Sequence, residues 1–382
     1  MTRSLVATAV GLVGVAVLAL FVAQAVRRAP SVTPSGSPPG GDDTRIDQFD
    51  GIRTLAFLSV FVHHLTGMRV LWAGVDVFFV LSGFLITGIL LRQRTSERYF
   101  RTFYFRRFLR IFPPYYVILG VTFFLFGAAC RAGLPWYLLY LSNFRDAFVG
   151  STCSPLTLMW SLAIEEQFYL LWPLIVWLVG ERRLARVAVL LVAGAPLLRL
   201  GLTFLTTRHF VVYMLLPTRV DLLAAGALLV VLSRTEPDLF RRLSRVGPLA
   251  AVGAIALFVL LAKLDPTFRT GANAPLFNAL GYSLICIAAV GIVAYTAVRR
   301  ENVYFRILTS RPMIFLGKIS YMMYLCHQLV LDLVARLGLP RPLTGLLALA
   351  LVIGWSTLSW YLLEKPLQTL KDRYPARPVS AT

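Results

Sequence analysis

Residues 51–87 read GIRTLAFLSVFVHHLTGMRVLWAGVDVFFVLSGFLIT and hold two apolar runs, 52–71 and 74–91. Each is long enough to cross the hydrocarbon core of a bilayer as a helix, which takes about 20 residues. The first run carries a histidine pair, His63 and His64, where a plain anchor would hold only aliphatic side chains. Arg53 and His64 are eleven positions apart, which on a helix is roughly three turns and about 16 Å. The two side chains therefore point the same way, one at the membrane edge and one well inside. An ionisable group at that depth is costly and as a rule faces a polar interior, so it marks a site. The other reading of His64 is a hydrogen bond satisfied between two helices.

The whole chain supports a membrane reading. Of its 382 residues 58% are hydrophobic and 15% charged, a balance that excludes a soluble domain of this size. The fold class is an all-α polytopic membrane protein. The formal net charge of +20 invites nucleic acid as a partner. The basic residues form no tracts, however, and fall mainly in alternate short loops, so nucleic acid is set aside. Only four of the 38 basic residues are Lys, a bias typical of GC-rich bacterial genomes. The four cysteines have no metal-ligand spacing, and no metal is expected.

Residues 5–26 form a first hydrophobic segment followed by Arg27 and Arg28. More arginines after it than before it favour an uncleaved anchor; a cleaved signal peptide is the alternative, because Ala23-Gln24-Ala25 resembles a cleavage site. The chain then divides into an anchor (1–28), a Pro/Gly/Ser-rich linker (29–50), a ten-helix membrane domain (51–366) and a cytosolic tail (367–382). The ten spans are expected near 52–71, 74–91, 111–129, 157–179, 185–206, 210–232, 247–264, 275–298, 313–335 and 343–363. With residue 52 in the cytosol, the inside loops collect 27 of the 38 Lys and Arg and the outside segments nine. That threefold excess orients the chain in the cell membrane. It also places 130–156 outside, where Cys130 and Cys153 share an oxidising compartment and can pair. Within that loop 134–141 is apolar but too short to span, and fits an interfacial or re-entrant piece.

Counting rise from the span starts puts His64 about 18 Å from the cytosolic side and Glu165 about 12 Å from the outer side. These are one plane. Arg219, Asp221 and His327 fall within a turn or so of it. Ser161, Glu165 and Tyr169 are spaced i, i+4, i+8, and Ser320, Tyr324 and His327 are spaced i, i+4, i+7; each set shares one helix face. The expectation is that these faces converge on a polar cavity, with structural ion pairing of Arg219 to Asp221 or Glu165 as the plainer alternative. A second cluster sits at the cytosolic edge in YFRRFLRIFPPYY, where Arg107 and Arg110 are neighbours at i, i+3. Paired guanidinia suit phosphate, although by themselves they also read as topology signals or lipid contacts.

Taken together, these segments resemble the acyltransferase-3 family of integral membrane acyltransferases, over about 47–366. DGIRTLAFLSVFVHH matches the family's Arg-x10-His element with Arg53 and His64, and GVDVFFVLSGFLIT, with Asp76 and Gly83, matches the next segment. FRRFLRIFPPYY supplies Arg107 and Arg110, and WSLAIEEQFYLLWP supplies Glu165, Phe168 and Tyr169. TRVDLLAAGALL, LGKISYMMYLCHQLVL and LEKP look like later family segments. The extra helix at 5–26 lies outside the usual ten-helix core, and the chain looks like a stand-alone form without a C-terminal esterase-like domain.

The resemblance implies transfer of an acyl group, commonly acetyl, from cytosolic acyl-CoA to a hydroxyl of a cell-envelope glycan, a glycolipid or a glycosylated metabolite. Arg53, Arg107 and Arg110 would then hold the donor's phosphates. His64 would act as general base on the acceptor hydroxyl or as an acyl-accepting nucleophile. Glu165 would orient it, stabilise its charged form or contact the acceptor. Asp76, Ser161, Tyr169, Arg219, Asp221, Tyr324 and His327 are the candidates for substrate or oxyanion contacts. A proton-coupled transporter would also place ionisable groups at mid-membrane, but would more often show inverted repeats. A scaffold has no need of them.

Overall fold

The computed structural model describes residues 46–370, apart from 152, 270, 272, 299 and 301. The expected anchor, most of the linker and the end of the tail lie outside the described residues. Among the described residues ten long helices follow one another: α1 (Asp47–Thr66), α2 (Gly74–Gln93), α3 (Tyr99–Cys130), α4 (Met159–Leu178), α5 (Glu181–Leu205), α6 (Leu216–Thr235), α7 (Pro237–Leu264), α8 (Tyr282–Ala297), α9 (Arg311–Ala335) and α10 (Arg341–Ser359). They occupy the ten expected spans, with several starts displaced: α7 begins at Pro237 rather than 247, α8 at Tyr282 rather than 275 and α6 at Leu216 rather than 210. Helix α1 starts at Asp47 rather than 52, because Asp47 and Asp50 fall in its first turn, where carboxylates suit the helix dipole. Helix α3 starts at Tyr99 rather than 111 and takes the arginine cluster into its first three turns. Its 32 residues extend about 48 Å, well beyond a hydrocarbon core of about 30 Å.

Among the described residues eight helical segments are long and apolar enough to cross a membrane, and α1 and α4 are not among them. The shortfall has a chemical cause. Helix α1 carries Asp50, Arg53, His63 and His64, and α4 carries Glu165, Glu166 and Gln167. Both helices hold residues singled out above, His64 on α1 and Glu165 on α4.

The chain divides into two compact units. One contains Asp76–Gly88 and Leu174–Arg306. Here α2 and α6 cross backbone to backbone, since a Cβ on Gly83 would collide with the carbonyl of Leu223, and one on Gly226 with that of Val80. Small residues at a crossing let two membrane helices approach this closely. Gly247 of α7 and Gly291 of α8 meet in the same way.

The other unit contains Asp50–Val75, Ile89–Pro173 and the chain from Ile307 onward. Helix α1 lies against α9, with Gly317 abutting the Asp50 backbone and the Thr54 hydroxyl donating to the Met313 carbonyl at 2.8 Å. Pro113 and Pro114 lie inside α3 and lack the N–H groups that would pair with the carbonyls of Leu109 and Arg110. The Tyr321 hydroxyl reaches the neighbouring carbonyl of Ile111 at 3.1 Å.

The expected Cys130–Cys153 disulfide is present, with a Cα–Cα distance of 4.8 Å. Between the two cysteines the apolar stretch forms a short helix, Leu134–Leu138, and a second, Ser142–Phe148, follows it. Tyr115 and Tyr116 of α3 donate to the carbonyls of Tyr137 and Leu138, both at 2.8 Å, and the Gln167 amide of α4 bonds Asn143 and the Tyr140 carbonyl. Cys286 and Cys326 are free and buried, as apolar fillers should be.

Candidate active site

Helices α1, α3, α4 and α9 of one unit assemble most of the expected site. His64 of α1 and His327 of α9 stack with ring centroids 5.1 Å apart, and His327 Nε2 lies 3.3 Å from His64 Nδ1. His327 is fully buried, and its Nδ1 is 2.7 Å from the Tyr324 carbonyl. His64 is half-buried and so remains reachable. His63, its neighbour in sequence, turns elsewhere: its Nδ1 bonds the Met68 carbonyl at 2.8 Å, at an exposed position.

Next to the histidines, the Ser161 hydroxyl of α4 meets the Tyr324 hydroxyl of α9 at 2.7 Å, and both also reach the Leu158 carbonyl. A carbonyl only accepts. Whichever hydroxyl donates to the other, the pair ties α4 to α9. Ser320 likewise donates to the Gly317 carbonyl. The two expected faces converge, but through hydroxyls bonded to each other and to the backbone.

Farther along the same face of α4 stand Glu165, half-buried, and Tyr169, buried. Glu165 is within electrostatic range of Tyr321 and Tyr324. Arg107 of α3 lies over the Tyr169 ring at 5.5 Å and over Phe103 at 5.8 Å. Arg53 and Arg110 lie within electrostatic range of it, so the three expected guanidinia do gather. Arg53 is paired with Asp50 at 2.9 Å. Arg107 and Arg110 are in no salt bridge among the described residues. From Tyr169 to Ser161 the rise along α4 is about 12 Å.

Asp76, Arg219 and Asp221 belong to the other unit, where they form a network of their own. Buried Arg219 pairs with buried Asp76 and faces the rings of Tyr282 and Tyr213 at 4.8 and 5.3 Å. Arg199 pairs with Asp221 at 2.8 Å and also binds the carbonyls of Thr218 and Asn278. The ion-pairing alternative is what the structure contains, with different partners from those expected: Asp76 for Arg219, and Arg199 for Asp221.

Sequence reasoning passed over several groups. Glu166 lies within electrostatic range of Arg107, Tyr115, Tyr140 and Tyr321, and only its place beside Glu165 hinted at it. Glu364 is buried, accepts a hydrogen bond from Ser359 at 3.0 Å and lies near Arg110; it is the acidic residue of LEKP. Tyr140 has φ 54°, the one non-glycine residue with positive φ among those described. It stacks on Tyr115 with centroids 4.2 Å apart. Between Cys130 and Cys153 Asp146 is buried beside Arg145 at 3.6 Å, and burial pushes its carboxyl up to about 6. No group of residues able to hold a metal ion occurs among those described.

Comparison with known proteins follows the same lines. A family model described as an acyltransferase domain matches residues 46–365. The peptidoglycan O-acetyltransferase OatA of Listeria monocytogenes is 29% identical over 358 residues, covering 85% of this chain and 56% of that protein. The O-acetyltransferase OatA of Staphylococcus aureus is 29% identical over 308 residues, covering 73% and 49%. YrhL of Bacillus subtilis is 31% identical over 368 residues, covering 87% and 56%. The chain thus spans about half the length of these relatives. No solved structure matches.

Proposed function

Since the chain belongs to the acyltransferase-3 family, we propose that it moves an acetyl group from cytosolic acetyl-CoA to a hydroxyl of a cell-envelope glycan, with His64 at the reacting centre. One observation carries this reading. Arg107 lies over Tyr169, which shares a face of α4 with Glu165 and Ser161, and Ser161 meets Tyr324, beside His327 and His64. Arg107 and Arg110 would grip phosphate at one end. A pantetheine-type arm then places its thioester about 12 Å farther along, beside the imidazole.

In the direct route His64 takes the acceptor hydroxyl's proton as the oxygen attacks the thioester carbonyl. The C–S bond breaks, and the CoA thiolate receives the proton. Glu165 serves the acceptor or the developing imidazolium charge. The relatives named as peptidoglycan O-acetyltransferases favour a peptidoglycan-like glycan as acceptor, reached from the outer side past the disulfide-closed segment.

The experiment is glycan mass profiling of a strain lacking the gene, with and without the complementing chain. Loss of an acetyl mass from an envelope glycan, restored by the wild-type chain and not by His64→Ala, is the expected result. An unchanged acetylation profile overturns the reading.

A further inference from the structure

We infer that His327 is a positioning residue that fixes the tautomer of His64, so that Nε2 of His64 is the nitrogen that accepts the proton or the acyl group. The inference rests on His64 acting at the reacting centre, as proposed above. It follows from the order in which protons can be placed. The Tyr324 carbonyl has no proton to give, so His327 Nδ1, 2.7 Å away, must carry one. A neutral imidazole holds a single ring proton, so His327 Nε2 presents its lone pair. That lone pair faces His64 Nδ1 at 3.3 Å, and the contact is a hydrogen bond only if His64 Nδ1 carries the proton. His64 Nε2 is then left with its lone pair free. A carbonyl on α9 thereby determines which atom of a histidine on α1 is basic.

The arrangement does the work that a carboxylate does when it orients a catalytic histidine, but with a neutral partner. When His64 takes up the acceptor's proton at Nε2, its Nδ1–H still points at His327 Nε2, so no hydrogen bond has to be remade as charge develops. Burial of His327, with edge-on contact to the Phe57 ring at 5.7 Å, keeps the accepting ring from rotating. An acyl-histidine route uses the same atom. A bond from Nε2 to the acyl carbon forms as the C–S bond breaks, and it is cleaved in turn by the acceptor oxygen. The acceptor's proton passes to the released thiolate.

The test uses the full chain in inverted membrane vesicles, which carry the native acceptor, supplied with radiolabelled acetyl-CoA. His327→Leu should lower label transfer to envelope glycan by about 10²-fold while leaving the half-saturating acetyl-CoA concentration within about twofold, because the phosphate grip is remote. His327→Gln can donate to the Tyr324 carbonyl through its amide N–H and accept from His64 through its amide oxygen, and should recover most of the loss. Solid-state 15N spectra of the histidine-labelled chain, which has four histidines, should show His64 protonated at Nδ1 and bare at Nε2, with that preference lost in His327→Leu. Transfer undiminished in His327→Leu, or His64 protonated at Nε2 in the wild type, overturns the inference. Transfer surviving in His64→Ala would instead defeat the reading of His64 itself. Saturable acetyl-CoA binding by His327→Leu shows that the variant is folded; if it is not folded, the spectrum of the wild type and the activity of His327→Gln decide.

Discussion

The guanidinium of Arg107 lies 5.5 Å over the ring of Tyr169, and this contact joins the basic mouth of the site to the helix that leads inward to Ser161. A cation held over an aromatic face keeps its N–H groups free for an anion, because the ring occupies its flat side and not its edge. Tyr169→Leu should therefore loosen Arg107 without removing its charge. The expected outcome is a half-saturating acetyl-CoA concentration raised about tenfold, with maximal transfer little changed. Arg107→Lys should do the same by losing the planar fork. A fall in maximal rate alone would place Tyr169 at the chemistry rather than at the donor grip.

The two adjacent histidines should behave differently. His63 bonds a nearby backbone carbonyl at an exposed position, whereas His64 meets His327. His63→Ala is expected to keep most of the transfer activity and His64→Ala to lose at least about 10²-fold. Assays of the two variants at matched membrane levels check this. Equal losses would mean that the pair acts as a unit.

In the other unit the buried pair of Asp76 and Arg219 should be costly to break by halves. Asp76→Leu or Arg219→Met alone leaves one buried charge without its counter-ion and should destabilise by roughly 3–5 kcal/mol. The double variant should recover much of that loss. Thermal unfolding in detergent of the two single variants and the double provides the cycle. Additive losses would show that the two charges are not energetically coupled.

A pH effect is expected from the segment between Cys130 and Cys153. The Asp146 carboxyl has its folded value raised to about 6 from 3.8, so the folded segment holds the proton more tightly than the unfolded one. The stabilisation is complete below about 3.8, the unfolded value, and is lost as pH rises through about 6. Proteolytic nicking between Cys130 and Cys153 should therefore become easier across that window. Asp146→Asn should remove the dependence; a slope that persists in this variant assigns it to another group.

Reducing the Cys130–Cys153 disulfide, which closes a 23-residue separation, should cost about 3 kcal/mol by releasing loop-closure entropy. The hydrogen bonds from Tyr115 and Tyr116 to that segment should hold it in place at low temperature. The expected result of Cys130→Ser is a lowered unfolding temperature with activity retained in the cold. Immediate loss of activity in the cold would show that the disulfide, and not the tyrosines, shapes the outer side of the site.

Much of the site could be read along single helices. The i, i+4 and i, i+3 spacings on α4, α9 and α3 correctly grouped Ser161 with Tyr169, Tyr324 with His327, and Arg107 with Arg110, because a helix repeats its faces whatever surrounds it. Residues whose importance comes only from neighbours on other helices escaped. Glu166, Tyr140, Glu364 and Arg199 belong to no periodic pattern. The partners of Arg219 and Asp221 also escaped, because depth is a single coordinate and says nothing of direction around the helix axis. Within their own unit Asp76 pairs with Arg219 and Arg199 with Asp221.

Hydrophobicity and helical period were enough to establish a multi-pass helical membrane protein. These are local properties, set by transfer free energy and by 3.6 residues per turn. Pairing needed the fold. His64 and His327 are 263 positions apart, and Asp76 and Arg219 are 143 apart. Within one unit, backbone contact between α2 and α6 at Gly83 and Gly226 brings the carboxylate and guanidinium into register seven residues before each crossing. Which nitrogen of His64 carries a proton depends on a carbonyl contributed by another helix, and no run of residues around His64 encodes that.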